Sequence, residues 1–247
     1  MTGTVSENLL SVTDRIRKAA RKAGRDPEEI TLVAVTKGVE LKKIKEAYAG
    51  GVRVFGENYV QEAEEKVSKI KDGAIRWHFI GHLQKNKVKR AVELFDCIQT
   101  VDGLELAVEL NKRSHESLDV LIEVNIAKEK TKTGVDVEGA VKLAREFDSL
   151  QNLKLRGLFT IPPFSGSQDV SRPYFVTLRR LAERINKERI PGVFLHDLSM
   201  GMSNDFEVAI EEGATIVRIG TAIFGPRNER HEKKGANPAE KRAQKNP

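Results

Sequence analysis

TLVAVTKGVELKK, residues 31–43, decides the fold. Residues 31–36 are apolar and β-branched, as in a strand buried on both faces of a parallel sheet. The run ends on a lysine, where glycine, asparagine or serine is the usual exit. In an open, doubly wound sheet the first strand feeds a G-x-G-x-x-G turn that cradles a dinucleotide. TKGVELKK does not match that pattern. The alternative for alternating strands and helices is a closed barrel.

The rest of the chain carries the same alternation. Strand-like runs occur at TLVAVT, VRVFG, IRWHFIG, FDCIQTV, LDVLIEVN, KLRGLFT, GVFLHDLS and ATIVRIG. Helix-like segments separate them: LKKIKEAYAGG, YVQEAEEKVSKI, QKNKVKRAVEL, LELAVELNKRS, VEGAVKLAREFDSL, RPYFVTLRRLAERINKE and NDFEVAIEEG. Several close on glycine or a polar residue, as helix ends do. Eight strands in 247 residues have the size of a single (β/α)8 TIM barrel. An amphipathic N-terminal stretch adds one extra helix before the first strand. The expected organisation is an α/β barrel over residues 1–226, followed by a basic, disordered tail over 227–247.

Composition narrows the function classes. The net charge is +6. The tail from Arg227 holds seven Lys or Arg and three Glu, a net of +4, which leaves +2 for the folded part. Without a basic groove interleaved with aromatics, a nucleic-acid partner is not expected. No apolar run approaches the roughly 20 residues of a membrane span, and the N-terminus lacks the apolar core of a secretory signal. One cysteine, Cys97, lies in an apolar run and reads as packing in a reducing, cytoplasmic setting.

Barrel enzymes place their chemistry at the C-terminal ends of the strands. Those positions hold Lys37, GENY (residues 56–59), GHLQ (81–84), Thr100, Asn125, TIPP (160–163), SMGMS (199–203) and RIGTAIFG (218–225). Barrels bind phosphate in the loops after the seventh and eighth strands. Here those loops contain Ser199, Gly201, Ser203, Gly220 and Thr221. Ser203 or Asn204 is the expected N-cap of the helix that follows. These residues make either a phosphate cradle or ordinary tight turns. Lys37 is correspondingly a phosphate clamp, a rim cation or a nucleophile, and an amine is a nucleophile only when neutral. His78 and His82 stand four apart on a strand, about 13 Å, too far for one zinc. His196 and Asp197 are adjacent and, in strand alternation, face opposite ways.

LVAVTK, FGENYVQE, WHFIGHLQKNK, GLFTIPP, LSMGMSNDFEVAI and VRIGTAIFG occur in order from Leu32 to Gly225. In these segments the chain resembles the YggS/PROSC family, the pyridoxal phosphate homeostasis proteins. The resemblance implies a fold type III barrel like the N-terminal domain of alanine racemase, with pyridoxal 5′-phosphate as an imine on Lys37. It places Asn58 beside the cofactor and Ser199, Met200, Gly201, Gly220 and Thr221 at its phosphate. It directs Arg218 toward the pyridine nitrogen or the phosphate. A guanidinium at the nitrogen would weaken the ring as an electron sink, which suits holding the cofactor better than transamination. The implied role is a monomeric, cytoplasmic carrier or buffer that serves apo-enzymes using this cofactor. The alternative is a slow amino-acid racemase. That reading needs an acid/base on each face of the substrate, and Tyr59 or Tyr174 would have to supplement Lys37. A third reading is a cofactor-sensing regulatory module. No metal is implied.

Overall fold

The computed structural model describes residues 3–70, 72–129, 131–163 and 168–226. The expected tail, 227–247, lies outside the described residues. Eight parallel strands close on themselves in sequence order: β1 Thr31–Val35, β2 Val54–Glu57, β3 Arg76–Phe79, β4 Cys97–Val101, β5 Leu118–Glu123, β6 Leu153–Phe159, β7 Asp197–Ser199 and β8 Ile216–Ile219. The eight expected strands and the closed topology are therefore present. The ring is sealed where β1 meets β8, in a register that pairs Thr31 with Ile216 and Ala34 with Ile219.

Alternation along each strand sorts side chains into two layers. Val33, Val35, Ile80, Cys97, Leu121, Phe159 and Ile216 fill the barrel interior. Burial there pushes the Cys97 thiol up, so it packs and does not react at neutral pH. Ala34, Phe55, Trp77, Ile98, Val120, Leu158 and Val217 face outward into a larger core shared with the helices. Those helices are α2 Leu41–Ala49, α3 Val60–Lys69, α4 Val88–Leu94, α5 Leu104–Arg113, α6 Val137–Glu146, α7 Arg172–Lys187 and α8 Phe206–Glu211. A short turn of helix, α9 Thr221–Phe224, follows β8 directly and carries no signal of its own in the sequence.

The extra helix α1, Val5–Lys22, is present too. Thr4 and Glu7 cap its start reciprocally in a capping box. Val5, Leu9, Val12, Ile16 and Ala20 form its buried stripe. It lies against α8 and α9, tied by the Asn8 amide donating to the Ile223 carbonyl at 3.0 Å and by Arg15 to Glu207 at 2.5 Å. No helix among the described residues is long and apolar enough to cross a membrane.

Two local expectations fail. His196 and Asp197 do meet, with Nδ1 and Oδ1 3.1 Å apart. β7 starts only at Asp197, so His196 is not yet subject to strand alternation. The N-cap of α8 is Asp205, not Ser203 or Asn204. Its carboxylate accepts from the Met202 N–H and the Ser171 hydroxyl, and so organises the turn before the helix.

β6 and β7 approach closely at Gly157. A Cβ there would lie 1.7 Å from the Asp197 carbonyl oxygen, a backbone atom that cannot move aside. Gly157→Ala should cost about 3 kcal/mol or more in denaturant unfolding, since overpacking against the sheet has no flexible side chain to absorb it. A loss below about 1 kcal/mol would show that the two strands can separate.

Candidate functional site

Lys37 leaves β1 two residues past Val35, in the inward-facing set of that strand. It lines a cavity of about 340 Å³ at the C-terminal mouth of the barrel, together with Asn58, Tyr59, His82, Gln84 and Lys87. Phe79, Leu83 and Val60 supply apolar surface. The Lys37 amine stands 5.2 Å from the centroid of the Tyr59 ring and pairs with no carboxylate among the described residues. The strand-end lysine thus shares a mouth with the GENY and GHLQ segments. Sequence reading singled out Lys37 and Asn58; Gln84 and Lys87 were parts of a motif without a role.

The late loops lie on the other side of Lys37, one at the end of the neighbouring strand β8 and the other at the end of β7 beyond it. Ser203 Oγ accepts from the Ala222 N–H at 3.3 Å, which joins the loop after β7 to the turn after β8. The Gly201 carbonyl accepts from the Arg218 N–H at 3.0 Å, which ties the same loop to β8 itself. Thr221 is exposed at the rim and Gly220 half-buried. Met200 is fully buried in the outer core, and its N–H donates to the Ile216 carbonyl at 3.1 Å. It anchors the loop and presents neither side chain nor N–H to a ligand.

Arg218 and Ser199 come together inside the barrel, below the mouth. The guanidinium is 3% exposed and lies 4.1 Å from the Phe159 ring centroid. It donates to Ser199 Oγ at 2.7 Å and to the Thr160 carbonyl at 2.9 Å. A guanidinium only donates, so the Ser199 hydroxyl must pass its own proton onward. It gives that proton to Gln99 Oε1 at 2.6 Å. The Gln99 amide nitrogen then donates to His78 Nδ1 at 2.7 Å, which leaves the His78 proton on Nε2. Burial lowers His78 to about 3, so the ring is neutral, as this chain of bonds requires. Burial also lowers Arg218, to about 10, which keeps it charged at neutral pH. Gln99 was not visible as a site residue in the sequence. His78 is a structural member of this chain, and His82 sits 3.2 Å from Asp102 at the surface. Among the described residues no cluster suits a metal ion.

A second buried network lies behind Lys37, between the barrel and α3. Glu57 Oε1 accepts from the Thr36 hydroxyl at 2.5 Å and from the Lys66 amine at 2.6 Å. Glu57 Oε2 is buried without a partner. Burial raises the carboxyl from the ordinary 4.5 to about 7, against the pull of Lys66. FGENYVQEAEEK contains Glu57 and Lys66, but their contact depends on which face α3 turns inward.

The closed parallel barrel, the lysine at the end of its first strand and the glycine loops after its last two define a class. The family described as alanine racemase, N-terminal domain, matches residues 8–228. A pyridoxal phosphate homeostasis protein from Aquifex aeolicus is 46% identical over 90% of this chain and 97% of its own. The structure of PipY from Synechococcus elongatus with PLP bound is 34% identical, covers 90% of this chain and 100% of its own, and superposes with a TM-score of 0.78. An alanine racemase from Clostridium difficile shares the fold at 15% identity, TM-score 0.69, over 91% of this chain and 58% of the racemase. The chain belongs to the pyridoxal phosphate homeostasis proteins, a branch of the alanine racemase N-terminal-domain family.

Glu57 gives a pH prediction. Between 4.5 and about 7 the folded state binds more protons than the unfolded state, so this group makes stability fall as pH rises. Glu57→Gln removes the titration and should flatten that slope. Denaturant unfolding at pH 5 and pH 8 should show wild type losing more of its stability than the variant. An equal or steeper loss in the variant would mean that Lys66 keeps Glu57 ionised throughout.

Proposed function

We propose that this chain binds pyridoxal 5′-phosphate reversibly at the barrel mouth, as a Schiff base on Lys37, and buffers or delivers it to apo-enzymes. The carrying observation is the Lys37 amine, which lines a cavity and has no carboxylate partner among the described residues. The donor set fits the group. An amine meets an aldehyde, and the glycine loops after β7 and β8 offer N–H groups to a phosphate. When bound, the cofactor supplies a reactive aldehyde that is better held than free.

The residues divide the work. Gly201, Gly220 and Thr221 face the phosphate. Ser199 and Met200 fix the loop from below, one through Gln99 and Arg218, the other through β8. Asn58 lies beside the ring, in the cavity with Lys37. Arg218 keeps a fixed positive charge under the mouth. Such a charge opposes protonation of the pyridine and favours storage over carbanion chemistry. A racemase would also need a second acid/base. Tyr59 stands on the Lys37 side of the cavity, and Tyr174, on α7, does not line it. In this reading the protein acts as a monomer in the cytoplasm, and its single, buried cysteine is in keeping with a reducing compartment.

Purified protein incubated with pyridoxal phosphate should develop an absorbance band at the edge of the visible range. Borohydride should abolish the band, and Lys37→Ala should lack it. No band in the wild type, or an equal band in the variant, would end this reading. Deuterium exchange at the α-carbon of amino acids above the rate of free cofactor would move the protein to the racemase class.

A further inference from the structure

Lys37 occupies a turn that the β1–β2 ladder holds only at its first residue, where the Thr36 N–H donates to the Gly56 carbonyl at 2.9 Å. β1 ends at Val35, and Thr36, Lys37, Gly38 and Val39 form a tight turn closed by the Val39 N–H on the Thr36 carbonyl at 2.9 Å. Gly38 has φ +68°, which the third residue of a type II turn requires. A lysine in such a turn would swing with its backbone unless something else fixed it.

Lys66 and Glu62, both on α3, reach the two peptide groups that flank Lys37. The Lys66 amine donates to the Thr36 carbonyl at 2.6 Å, on the N-terminal side. The Gly38 N–H donates to Glu62 Oε1 at 2.6 Å, on the C-terminal side. Lys66 also donates to Glu62 Oε1 at 2.7 Å and to Glu57 Oε1 at 2.6 Å. An ammonium has three hydrogens, and each has its own acceptor here. Lys66 is 6% exposed and Glu57 fully buried. None of the three residues lines the cavity.

A buried ion pair adds little stability over apolar packing of the same volume, because desolvation offsets the attraction. Stability alone therefore does not account for an ammonium at this position. Its acceptors do, since one is the peptide before Lys37 and another carries the peptide after it. We propose that Lys66 and Glu62, with Glu57 as their anchor, are positioning residues for Lys37: they clamp its backbone on both sides so that its amine meets an aldehyde in one orientation. This rests on the reading that Lys37 carries the cofactor. The condensation itself is ordinary, with the amine and the aldehyde joining as an imine and releasing one water.

The test uses the full chain with Glu62→Ala, Glu62→Gln and Lys66→Met. Glu62 is half-exposed on a helix, where alanine is a good replacement, so that variant keeps the fold even if Lys66→Met does not. In Glu62→Ala, pyridoxal phosphate should form its imine about tenfold more slowly, the scale expected when a reacting group loses its orientation. Pyridoxine 5′-phosphate has no aldehyde, and its affinity should stay at the wild-type value. Glu62→Gln keeps an acceptor for the Gly38 N–H and should recover most of the rate. In cofactor-free protein, Glu62→Ala should speed amide exchange at Gly38 and change the rate at which acetic anhydride labels Lys37, relative to the exposed lysines. An imine rate in Glu62→Ala equal to wild type would overturn the proposal, as would equal loss of pyridoxine phosphate affinity. If wild type itself forms no imine, the cofactor reading fails separately. Gly38 exchange and Lys37 labelling then decide: altered values uphold the clamp, and wild-type values overturn it.

Discussion

The ladder between β1 and β8 joins the first strand of the barrel to the last, and the site depends on it. Its register pairs Ala34 with Ile219. Continued past the strands, that register sets Val35 beside Gly220 and Thr36 beside Thr221, so Lys37 leaves β1 one residue further on at the same end of the barrel. An amine and a pair of glycine loops, supplied from opposite ends of the folded chain, become neighbours at one mouth. A parallel sheet sends every strand's C-terminal end to the same side, so closure alone collects the polar strand ends. α1 then covers the outside of the closure through α8 and α9.

Two polar systems support that mouth, and they work differently. Inside the barrel, Arg218 imposes a direction on a chain of bonds through Ser199 and Gln99 to His78. A donor-only group at one end leaves each later member one choice of proton. The chain fixes a charge below the mouth and consumes the hydroxyl of Ser199. Outside the barrel, Lys66 spends its three hydrogens on Glu57, Glu62 and the peptide before Lys37. The first system sets the electrostatics under the mouth, and the second ties the backbone on both sides of Lys37. Both are buried, where an unsatisfied partner is costly and a satisfied one is rigid.

The strands were legible because residues of a closed parallel barrel are apolar for several positions in a row and turn polar at one end. Lys37 stood out as the wrong residue for a strand exit, and the glycine loops as the usual late-strand phosphate motif. The supporting residues were not legible. Gln99 lies in an apolar run, and only the barrel interior shows that it bridges Ser199 to His78. Lys66 and Glu62 form an i,i+4 pair that reads as a solvated helix face. The burial of Lys66 depends on how α3 rotates onto β2. Ser203 and Asn204 are good N-cap types, yet Asp205 takes the position because its carboxylate also serves Met202 and Ser171. His196 meets Asp197 because β7 is shorter than its apolar run.

The account stands on one chemical assignment, that Lys37 and no other lysine of the mouth holds the cofactor. Lys87 lines the same cavity and makes the comparison internal. Borohydride reduction of the protein with pyridoxal phosphate, followed by peptide mapping by mass spectrometry, tests it directly. The account predicts one pyridoxyl group per chain, on the peptide carrying Lys37. A label on Lys87, or one spread over the surface lysines, would contradict it.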